Sequence, residues 1–388
     1  MNELISRGIS EVITEAELTR ALKGKKMRLK LGVDPTSPDI HLGHAVVLRK
    51  LRQFQDQGHT VIFLIGDATA RVGDPSGINK TRPVLSDKEI EANAKTYLAQ
   101  VGKILDLKKA EIRRNSEWLD KLDLAKLLEL AGKFTVAQII ERDDFKTRLK
   151  QGVEISLHEI LYPLMQAYDS VCLEADVEFG GTDQRFNMLA ARNLQKKLGQ
   201  RPQQIVMCPL LVGTDGVQKM SKSFGNYIGI TDTPADMYGK VMSLPDALVG
   251  SYYELCTDVP MNVIKQVIAD IAAGANPRDT KASLAREIVR QYHGEKEAAG
   301  AEEGFNKQFR DKQAPEDITE EKITKAAWDP AELLVGLGLA SSKSEARRLI
   351  SQKGVKIAGQ TIDADNVKVG DGDIVQVGKR RFVKLHLS

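Results

Sequence analysis

The 388-residue chain has few cysteines and no long apolar run. Its three cysteines, Cys172, Cys208 and Cys256, are odd in number and lack the C-x-x-C spacing of zinc ligands. Neither a disulfide framework nor a metal site built by the protein is therefore expected. A membrane helix needs roughly 20 apolar residues. Residues 61–65 form one of the longest apolar runs, so no association with a membrane is expected.

The N-terminal segment also lacks the basic and then apolar layout of a secretory signal, because acidic residues such as Glu3, Glu11 and Glu15 are scattered through it. A cytoplasmic location is therefore expected. The content of 42% hydrophobic and 28% charged residues is typical of a soluble globular protein, and the length predicts two or three domains.

Charge is distributed unevenly although the net value is only +3. From Lys343 to the C-terminus there are ten Lys and Arg residues against five Asp and Glu residues, so the positive charge is concentrated in this region. A basic surface of this kind is suited to a phosphate backbone, and the alternative is a face that is merely solvated.

Two strand–helix–strand patterns indicate a parallel sheet. Residues 28–33 read as a strand, the turn that follows contains two prolines, an amphipathic helix ends at Gly58, and residues 61–65 are a buried strand. A second unit is predicted from strands at 171–179 and 205–212 around a helix at 184–198. The fold class is therefore α/β, a Rossmann-like doubly wound parallel sheet with ligands bound at the carboxyl ends of its strands.

The rest of the chain divides by composition. We expect a catalytic domain at residues 1–230, with a helical insertion at about 115–170, then a helical domain at 231–313, a linker at 314–330 and a small α+β module at 331–388. The last module is predicted to begin with a capping box, Ser342 to Glu345, followed by short strands at 355–357, 361–362, 374–377 and 381–385. Its composition and helix opening resemble the S4-type RNA-binding domain.

Two motifs carry the chemistry. His41-Leu42-Gly43-His44 places two imidazoles around a glycine where a strand turns into a helix, and Lys219-Met220-Ser221-Lys222-Ser223 places two lysines on a glycine-flanked loop. Lysines on long stems can follow a phosphate group as it gains charge. Together the motifs resemble the signature of class I aminoacyl-tRNA synthetases.

A third pattern concerns the amino acid. Tyr162, Gln166 and Asp169 have helical offsets of four and three, so they share one face. A phenol needs an acceptor such as Asp169, and an ammonium needs oxygens such as those of Tyr162 and Gln166. With the segment 180–184, Gly-Gly-Thr-Asp-Gln, the chain closely resembles bacterial-type tyrosyl-tRNA synthetases from about residue 28 to the C-terminus.

The resemblance implies a role for each matching residue. The implied catalytic residues are His41, His44, Lys219 and Lys222. The implied ATP-binding residues are His41, Gly43, His44, Asp183, Lys219, Ser221, Lys222, Lys80 and Arg82. The implied tyrosine-binding residues are Gly32, Asp34, Thr69, Asp74, Tyr162, Gln166, Asp169 and Gln184, with Asn115 behind them. The implied tRNA-binding residues are Lys343, Arg347, Arg348 and Lys353.

One position departs from the family. Lys30 stands where family members have a tyrosine whose hydroxyl also bonds the phenol. Either its side chain points out of the pocket, or the local register differs from this alignment. The second phenol contact therefore has no assigned residue.

The resemblance also implies the reaction and its partners. Tyrosine and ATP would give tyrosyl-adenylate and pyrophosphate, and tRNA(Tyr) would then accept the tyrosyl group. Mg²⁺ is expected with ATP, held mainly by phosphate oxygens and water, and no tightly bound cofactor is expected. The apolar insertion around residues 127–140 and the resemblance both indicate a homodimer.

Two other functions remain open at this stage. A tryptophanyl-tRNA synthetase shares the fold and similar motifs, but an indole offers only a donor. The combination of Tyr162, Gln166 and Asp169 with an S4-like C-terminal module argues against it. An RNA-binding protein built on an inactive synthetase scaffold is the second alternative, and the intact His41, His44, Lys219 and Lys222 argue against it.

Overall fold

The computed structural model describes residues 3–24, 26–75, 85–309, 319–362, 366–378 and 381–387. The chain divides into two compact units, Met1–Glu295 and Lys296–Ser388. Within the described ranges, no helix is long and apolar enough to cross a membrane.

A six-stranded sheet forms the centre of the first unit, in the order β1-β6-β5-β2-β3-β4. The short β1 is antiparallel to β6, and the other neighbours are parallel. The strands are β1 Glu11–Ile13, β2 Arg28–Val33, β3 Thr60–Ile65, β4 Glu111–Arg114, β5 Val177–Gly181 and β6 Gln204–Cys208. The central β3 and β6 are almost wholly buried, as parallel strands covered by helices are.

Helices precede, connect and follow these strands. They are α1 Glu15–Ala21, α2 Leu42–Asp56, α3 Asp67–Ala70, α4 Asp87–Val101, α5 Ser116–Leu119, α6 Leu124–Ala131, α7 Val136–Ile140, α8 Asp143–Lys150, α9 Leu157–Cys172, α10 Arg185–Lys197, α11 Pro234–Met242, α12 Val249–Cys256, α13 Met261–Ala272 and α14 Pro277–His293. Short 3-10 helices lie at Glu3–Ile5, Thr182–Gln184, Lys222–Phe224 and Asp246–Leu248.

The predicted α/β fold is confirmed, and its first strand–helix–strand unit is β2, α2 and β3. The second unit differs at its ends. Residues 171–172 belong to α9, because the apolar run there continues the buried face of that helix, and the strand begins at Val177. The last strand ends at Cys208 and not at Val212, which instead forms an isolated bridge with Lys219.

The order of the strands determines where a ligand can bind. In the sheet, β3 and β4 lie on one side of β2, and β5 and β6 lie on the other side. The connections therefore diverge at β2 and β5, which leaves a crevice at the carboxyl ends of these strands. The segments that follow β2, β3, β5 and β6 all start at this edge of the sheet.

The second unit combines three helices with short strands. Its elements are α15 Glu295–Phe309, which begins at the boundary of the units, β7 Thr319–Ile323, β8 Ala327–Trp328, α16 Pro330–Gly336, α17 Lys343–Ser351, β9 Val355–Ile357, β10 Gln360–Thr361, β11 Val367–Lys368, β12 Ile374–Val377 and β13 Arg381–Leu387. Five strands pair in the order β10-β9-β12-β13-β7, and β11 pairs with β8. A buried apolar cluster that includes Leu334, Ala346, Val375 and Leu385 holds them together.

Two expectations for this unit need correction. The described part of the predicted linker at 314–330 contains β7 and β8. β7 pairs in parallel with β13 over five residues. Composition could not predict this strand, because it forms only by pairing with a segment distant in sequence. Ser342 caps α17 by accepting from the Glu345 amide, but the Glu345 carboxylate accepts from the amide and hydroxyl of Ser341, so the capping box is only half formed.

Candidate active site

The N-terminus of α2 carries both histidines of the first motif. The His41 amide donates to Nδ1 of His44 at 3.3 Å, and the two rings stack with centroids 3.8 Å apart. Because Nδ1 of His44 accepts, its proton lies on Nε2. Burial lowers the pKa of His41 to about 2 and that of His44 to about 4, helped by the nearby cationic Lys222. Both imidazoles are therefore neutral hydrogen-bond donors at physiological pH.

The lysine loop lies directly against this motif. A Cβ on Gly43 would lie 3.0 Å from the His41 ring and 3.6 Å from Cβ of Met220, so a larger residue would separate the two motifs. After the loop the chain returns to the start of α2, where the Leu42 amide donates to the Ile228 carbonyl at 2.9 Å. The sequence-distant motifs thus form one structural feature.

Both lysines of the loop rest on carboxylates. Lys219 Nζ donates to Asp183 Oδ2 at 3.0 Å, and Lys222 Nζ donates to Asp39 Oδ2. The side chains remain partly exposed, at 36% for Lys219 and 26% for Lys222. The loop therefore holds two cations that can exchange one anionic partner for another.

The buried side chain of Asn226 fixes the backbone of the loop. Its Oδ1 accepts from the Ser221 amide at 2.8 Å, and its Nδ2 donates to Asp215 at 2.8 Å and to the Lys219 carbonyl at 3.1 Å. Sequence reasoning missed Asn226, since nothing about an asparagine seven residues after the first lysine distinguishes it from a surface residue.

On the other side of the crevice, Asp34 joins three elements. It follows β2, with the exposed Gly32 two residues earlier, and its Oδ1 accepts from Thr69 Oγ1 at 2.7 Å. Its Oδ2 accepts from the Tyr162 hydroxyl at 2.8 Å. A Cβ on Gly66 would overlap both Asp34 Oδ1 and Thr69 Oγ1, so glycine is required there. Burial raises the pKa of Asp34 to about 7, although the hydrogen bond from Thr69 opposes the shift.

Asp169 lies on the same face of α9 as Tyr162 and is 3% exposed. Its Oδ1 accepts from Trp118 Nε1 at 2.8 Å, and its Oδ2 accepts from Asn115 Nδ2 at 3.3 Å. Burial raises the pKa of Asp169 to about 7, while Lys30 and these two donors oppose the rise. Each oxygen retains a lone pair for one further donor.

Asn115 connects the two carboxylates. Its Oδ1 accepts from the Ala68 amide at 2.9 Å, which fixes the orientation of its amide, and its Nδ2 also donates to Thr69 at 2.9 Å. Trp118, three residues further along, was not predicted as a site residue. A tryptophan one helical turn from Asn115 was the available signal.

A third acidic residue lies near the amide of Gln184. Gln184 Nε2 donates to Asp74 Oδ2 at 2.7 Å, and the buried Arg142 lies 3.6 Å from Asp74 Oδ1. Arg142 also bonds Asn187, which in turn donates to Gln184. Arg142 was not predicted, because it is distant in sequence from every motif.

Lys30, the residue that departs from the family pattern, is fully buried, and its contacts show where its side chain points. Its Nζ donates to Glu178 Oε1 at 2.9 Å, to Ser170 Oγ at 2.8 Å and to the Gln166 carbonyl at 3.2 Å. The pairing of β2 with β3 is regular through Lys30. Its ammonium group is directed at Glu178 and the backbone of α9.

The crevice therefore brings together the predicted residues that lie within the described ranges of the first unit. Lys80 and Arg82 lie outside the described residues. Along the crevice, neutral imidazole donors and partly exposed lysines lie at one end, and buried carboxylates with fixed donors lie at the other. An anionic phosphate chain suits the first end, and a small molecule with an ammonium and a hydroxyl suits the second.

Comparison with known proteins agrees with this geometry. A family model described as tRNA synthetases class I (W and Y) matches residues 22–310, and an S4 domain model matches residues 332–375. The chain is a member of the class I aminoacyl-tRNA synthetases and has their fold, so both predicted resemblances are confirmed.

Individual relatives narrow the family. The tyrosine–tRNA ligase of Bordetella avium is 51% identical over 388 residues, covering 98% of this chain and 95% of the relative. A C-terminally truncated mitochondrial tyrosyl-tRNA synthetase of Aspergillus nidulans matches with a TM-score of 0.66 at 26% identity, covering 79% of this chain and 93% of that one. The Archaeoglobus fulgidus tyrosyl-tRNA synthetase complexed with L-tyrosine gives a TM-score of 0.64 at 26% identity, covering 77% and 98%. The chain belongs to the bacterial tyrosine–tRNA ligases.

Proposed function

We propose that the chain joins L-tyrosine to tRNA(Tyr) in two steps, with tyrosyl-adenylate as the intermediate. The observation that carries this proposal is the buried carboxylate of Asp169, which Trp118 and Asn115 hold at the closed end of the crevice. It is an acceptor with a free lone pair on each oxygen, which is what a phenol hydroxyl requires.

Tryptophan is the alternative amino acid within the family. An indole N–H could also donate to Asp169, but Trp118 already donates one indole N–H to Oδ1. The similarity to tyrosine–tRNA ligases over nearly the full chain favours tyrosine.

The ammonium of tyrosine would be bound by oxygens on the opposite side of the pocket. Tyr162 donates its hydroxyl proton to Asp34, so its oxygen retains lone pairs for the substrate. Asp74 and Gln166 supply further acceptors, and Thr69 orients Asp34. Gln184 would face the carboxylate of the substrate. Gly32 leaves the end of β2 open beside the pocket.

ATP would bind with its phosphates between the two motifs. The Nε2–H of His44 and the neutral ring of His41 can donate to phosphate oxygens, and Gly43 lets the nucleotide approach the start of α2. As charge develops on the phosphates, Lys219 and Lys222 would leave Asp183 and Asp39 for the β- and γ-phosphates. Ser221 would contribute through the loop backbone, and Asp183 would then be free for the ribose.

No protein side chain acts as a nucleophile in this scheme. The tyrosine carboxylate attacks the α-phosphorus, the bond to the bridging oxygen breaks, and pyrophosphate leaves with the electron pair. A ribose hydroxyl of the tRNA terminus then attacks the activated carbonyl, and AMP leaves. Positioning and charge stabilisation supply the catalysis. Mg²⁺ would enter with ATP and be held by phosphate oxygens and water.

The second unit would bind the tRNA backbone. Arg347 and Arg348 are exposed on α17, and Lys353 is exposed just after it. Lys343 is also exposed but forms an ion pair with Glu332 at 2.7 Å, so the charge it offers to RNA is reduced. The S4 domain match over residues 332–375 supports this surface.

For the organisation of the chain we propose catalysis in residues 1–230, a helical domain in 231–313 and RNA binding in 331–388. We also propose that the chain acts in the cytoplasm as a homodimer. Large apolar side chains of the insertion are exposed, among them Leu124 at 71%, Leu128 at 62%, Val136 at 65% and Leu157 at 76%. A second copy could cover such a surface, and sedimentation of wild type and Leu128→Glu would test this.

The function is tested by ATP–pyrophosphate exchange with each of the twenty amino acids in turn, followed by charging of tRNA. Exchange should depend on tyrosine, and tyrosine should then be transferred to tRNA(Tyr). Exchange that depended on tryptophan would show that the chain is a tryptophanyl-tRNA synthetase instead. Absence of exchange with every amino acid would indicate an inactive scaffold.

A further inference from the structure

We propose that the buried ion pair of Lys30 and Glu178 is a positioning device for amino-acid recognition: it orients the Gln166 amide so that its oxygen faces the substrate ammonium. This inference rests on the proposed tyrosine site. It assigns a role to Lys30, the residue that departs from the family pattern, and to Glu178, which no motif contains.

Lys30 connects the sheet to the substrate-binding helix. It lies on β2, and its three hydrogen bonds reach Glu178 on β5 and both Ser170 and the Gln166 carbonyl on α9. The side chain has no exposed surface. A buried ammonium with three acceptors in fixed positions restrains the part of α9 that carries Gln166.

Glu178 receives the complementary bonds. Its Oε1 accepts from Lys30 Nζ at 2.9 Å and from Gln166 Nε2 at 3.2 Å. Its Oε2 accepts from Ser170 Oγ at 3.3 Å and from Gln203 Nε2. With four donors on two oxygens, this carboxylate is well satisfied although it is 1% exposed.

The pair restricts the Gln166 amide to one orientation. An ionised carboxylate can only accept, so the amide nitrogen of Gln166 must face Glu178, and a flipped amide would place two oxygens against each other. Gln166 Oε1 is then directed away from Glu178. It is buried and has no hydrogen-bond partner within the described residues. A buried orphan acceptor is costly, and a substrate ammonium would satisfy it.

The ion pair of Lys30 and Glu178 orients the Gln166 amide without adding net charge to the pocket. Lys30 lowers the pKa of the neighbouring Asp169 and Glu178 raises it, so their effects oppose each other. Burying two ions costs free energy that an apolar pair of similar volume would avoid. A requirement for a fixed acceptor beside the substrate explains why polar groups occupy this position.

Two variants remove the orienting carboxylate. Glu178→Gln changes charge with little change of shape, but it leaves Lys30 unpaired. The double variant Lys30→Met/Glu178→Met removes both charges at similar volume, so it protects the fold against an isolated buried ion. The control is Arg28→Met on the same strand, which breaks the half-exposed ion pair of Arg28 with Glu111.

The readout compares tyrosine with desaminotyrosine, which lacks only the ammonium. In both variants the KM for tyrosine in pyrophosphate exchange should rise about tenfold or more, because one hydrogen bond to a charged group is lost. The kcat at saturating tyrosine and the KM for ATP should stay close to wild type. Inhibition by desaminotyrosine should not weaken, and Arg28→Met should resemble wild type in all four quantities.

Three results would overturn the proposal: a wild-type KM for tyrosine in the double variant, equal weakening of tyrosine and desaminotyrosine, or a loss confined to the preference for tyrosine over phenylalanine. Gln166→Ala separates this inference from the site assignment. If Gln166→Ala leaves the KM for tyrosine unchanged, the proposed ammonium site itself is wrong. If it raises that KM while the Lys30 and Glu178 variants do not, only the positioning role fails.

Discussion

The two ends of the crevice are constructed in opposite ways. At the amino-acid end, Asp169 is 3% exposed and Asn115 is fully buried, and each polar group is held by a neighbour on another element. At the phosphate end, Lys219 and Lys222 are partly exposed and sit on a loop whose short 3-10 helix is its only regular structure among the described residues.

The difference matches what each end is proposed to recognise. A hydroxyl is distinguished from a hydrogen only if its partner is desolvated and cannot move to another donor. A phosphate chain gains charge during the reaction, so its partners must be able to approach it then. We therefore expect the buried end to determine which amino acid binds, and the partly exposed lysines to determine how fast it reacts.

Asp169→Ala should have the largest effect. It removes the phenol acceptor and leaves the Trp118 and Asn115 donors without their partner, so kcat/KM for tyrosine should fall by about 10³-fold or more. Sites built to bond a hydroxyl reject an analogue without it by about 10⁴-fold or more, a magnitude measured on tyrosine-specific synthetases themselves. Pyrophosphate exchange with tyrosine and phenylalanine measures the effect.

The control for this change is Asp56→Ala, which removes an exposed carboxylate of α2 that forms an ion pair with Arg52. It should be neutral. A near-normal preference of Asp169→Ala for tyrosine over phenylalanine would show that α9 is not the specificity element.

Lys222→Ala should reduce the rate of adenylate formation by about two orders of magnitude, because its charge is used mainly in the transition state. Tyrosine affinity, measured by equilibrium binding, should remain close to wild type, and Lys95→Ala on the exposed face of α4 should be neutral. If tyrosine binding weakened in parallel with the rate, the loop would be a structural part of the amino-acid end.

The two ends should also differ in their response to pH. Because the pKa values of Asp34 and Asp169 are raised to about 7, these carboxyls become protonated as the pH falls below 7. kcat/KM for tyrosine should then fall by up to about tenfold per pH unit for each group. kcat at saturating tyrosine should change less, since a bound ammonium stabilises the ionised forms.

His41 and His44 give the contrasting expectation. Their pKa values of about 2 and about 4 keep both rings neutral across the same range, so they add no protonation step near pH 7. A profile for kcat/KM of tyrosine that is flat from about pH 6 to pH 8 would contradict the raised carboxyl pKa values.

The sequence predicted the fold only in part. Periodicity locates β2, α2 and β3 well, because α2 has one apolar face and β3 is apolar throughout. The pairing of β7 with β13 was not predictable, since β7 has four exposed residues out of five and is a strand only because its partner lies some sixty residues away.

The same holds for the site. His41, Lys222 and Asp169 belong to motifs with fixed spacing, so sequence finds them. Trp118 donates to Asp169, and Asn226 holds the backbone of Lys219 and Ser221 in the lysine loop, but no spacing rule connects either residue to a motif. Lys30 is the instructive case: a lysine reads as a surface residue, and only the three-dimensional partner Glu178 shows that it is buried.

The smallest effect on activation is expected from removing the chain beyond residue 310, because every site residue described above in the crevice lies in Met1–Glu295. A chain ending at residue 310, where the synthetase family match ends, avoids leaving β7 and β8 without the strands that pair with them. Tyrosine-dependent pyrophosphate exchange should stay within about twofold of wild type, while transfer to tRNA should collapse because the Arg347 and Arg348 surface is gone.

The full-length Arg347→Ala/Arg348→Ala variant, as a control that keeps the fold, should weaken tRNA binding and make its salt dependence shallower. Equal loss of both reactions on truncation would mean that the second unit supports the fold of the first, and loss of neither would mean that it does not bind tRNA.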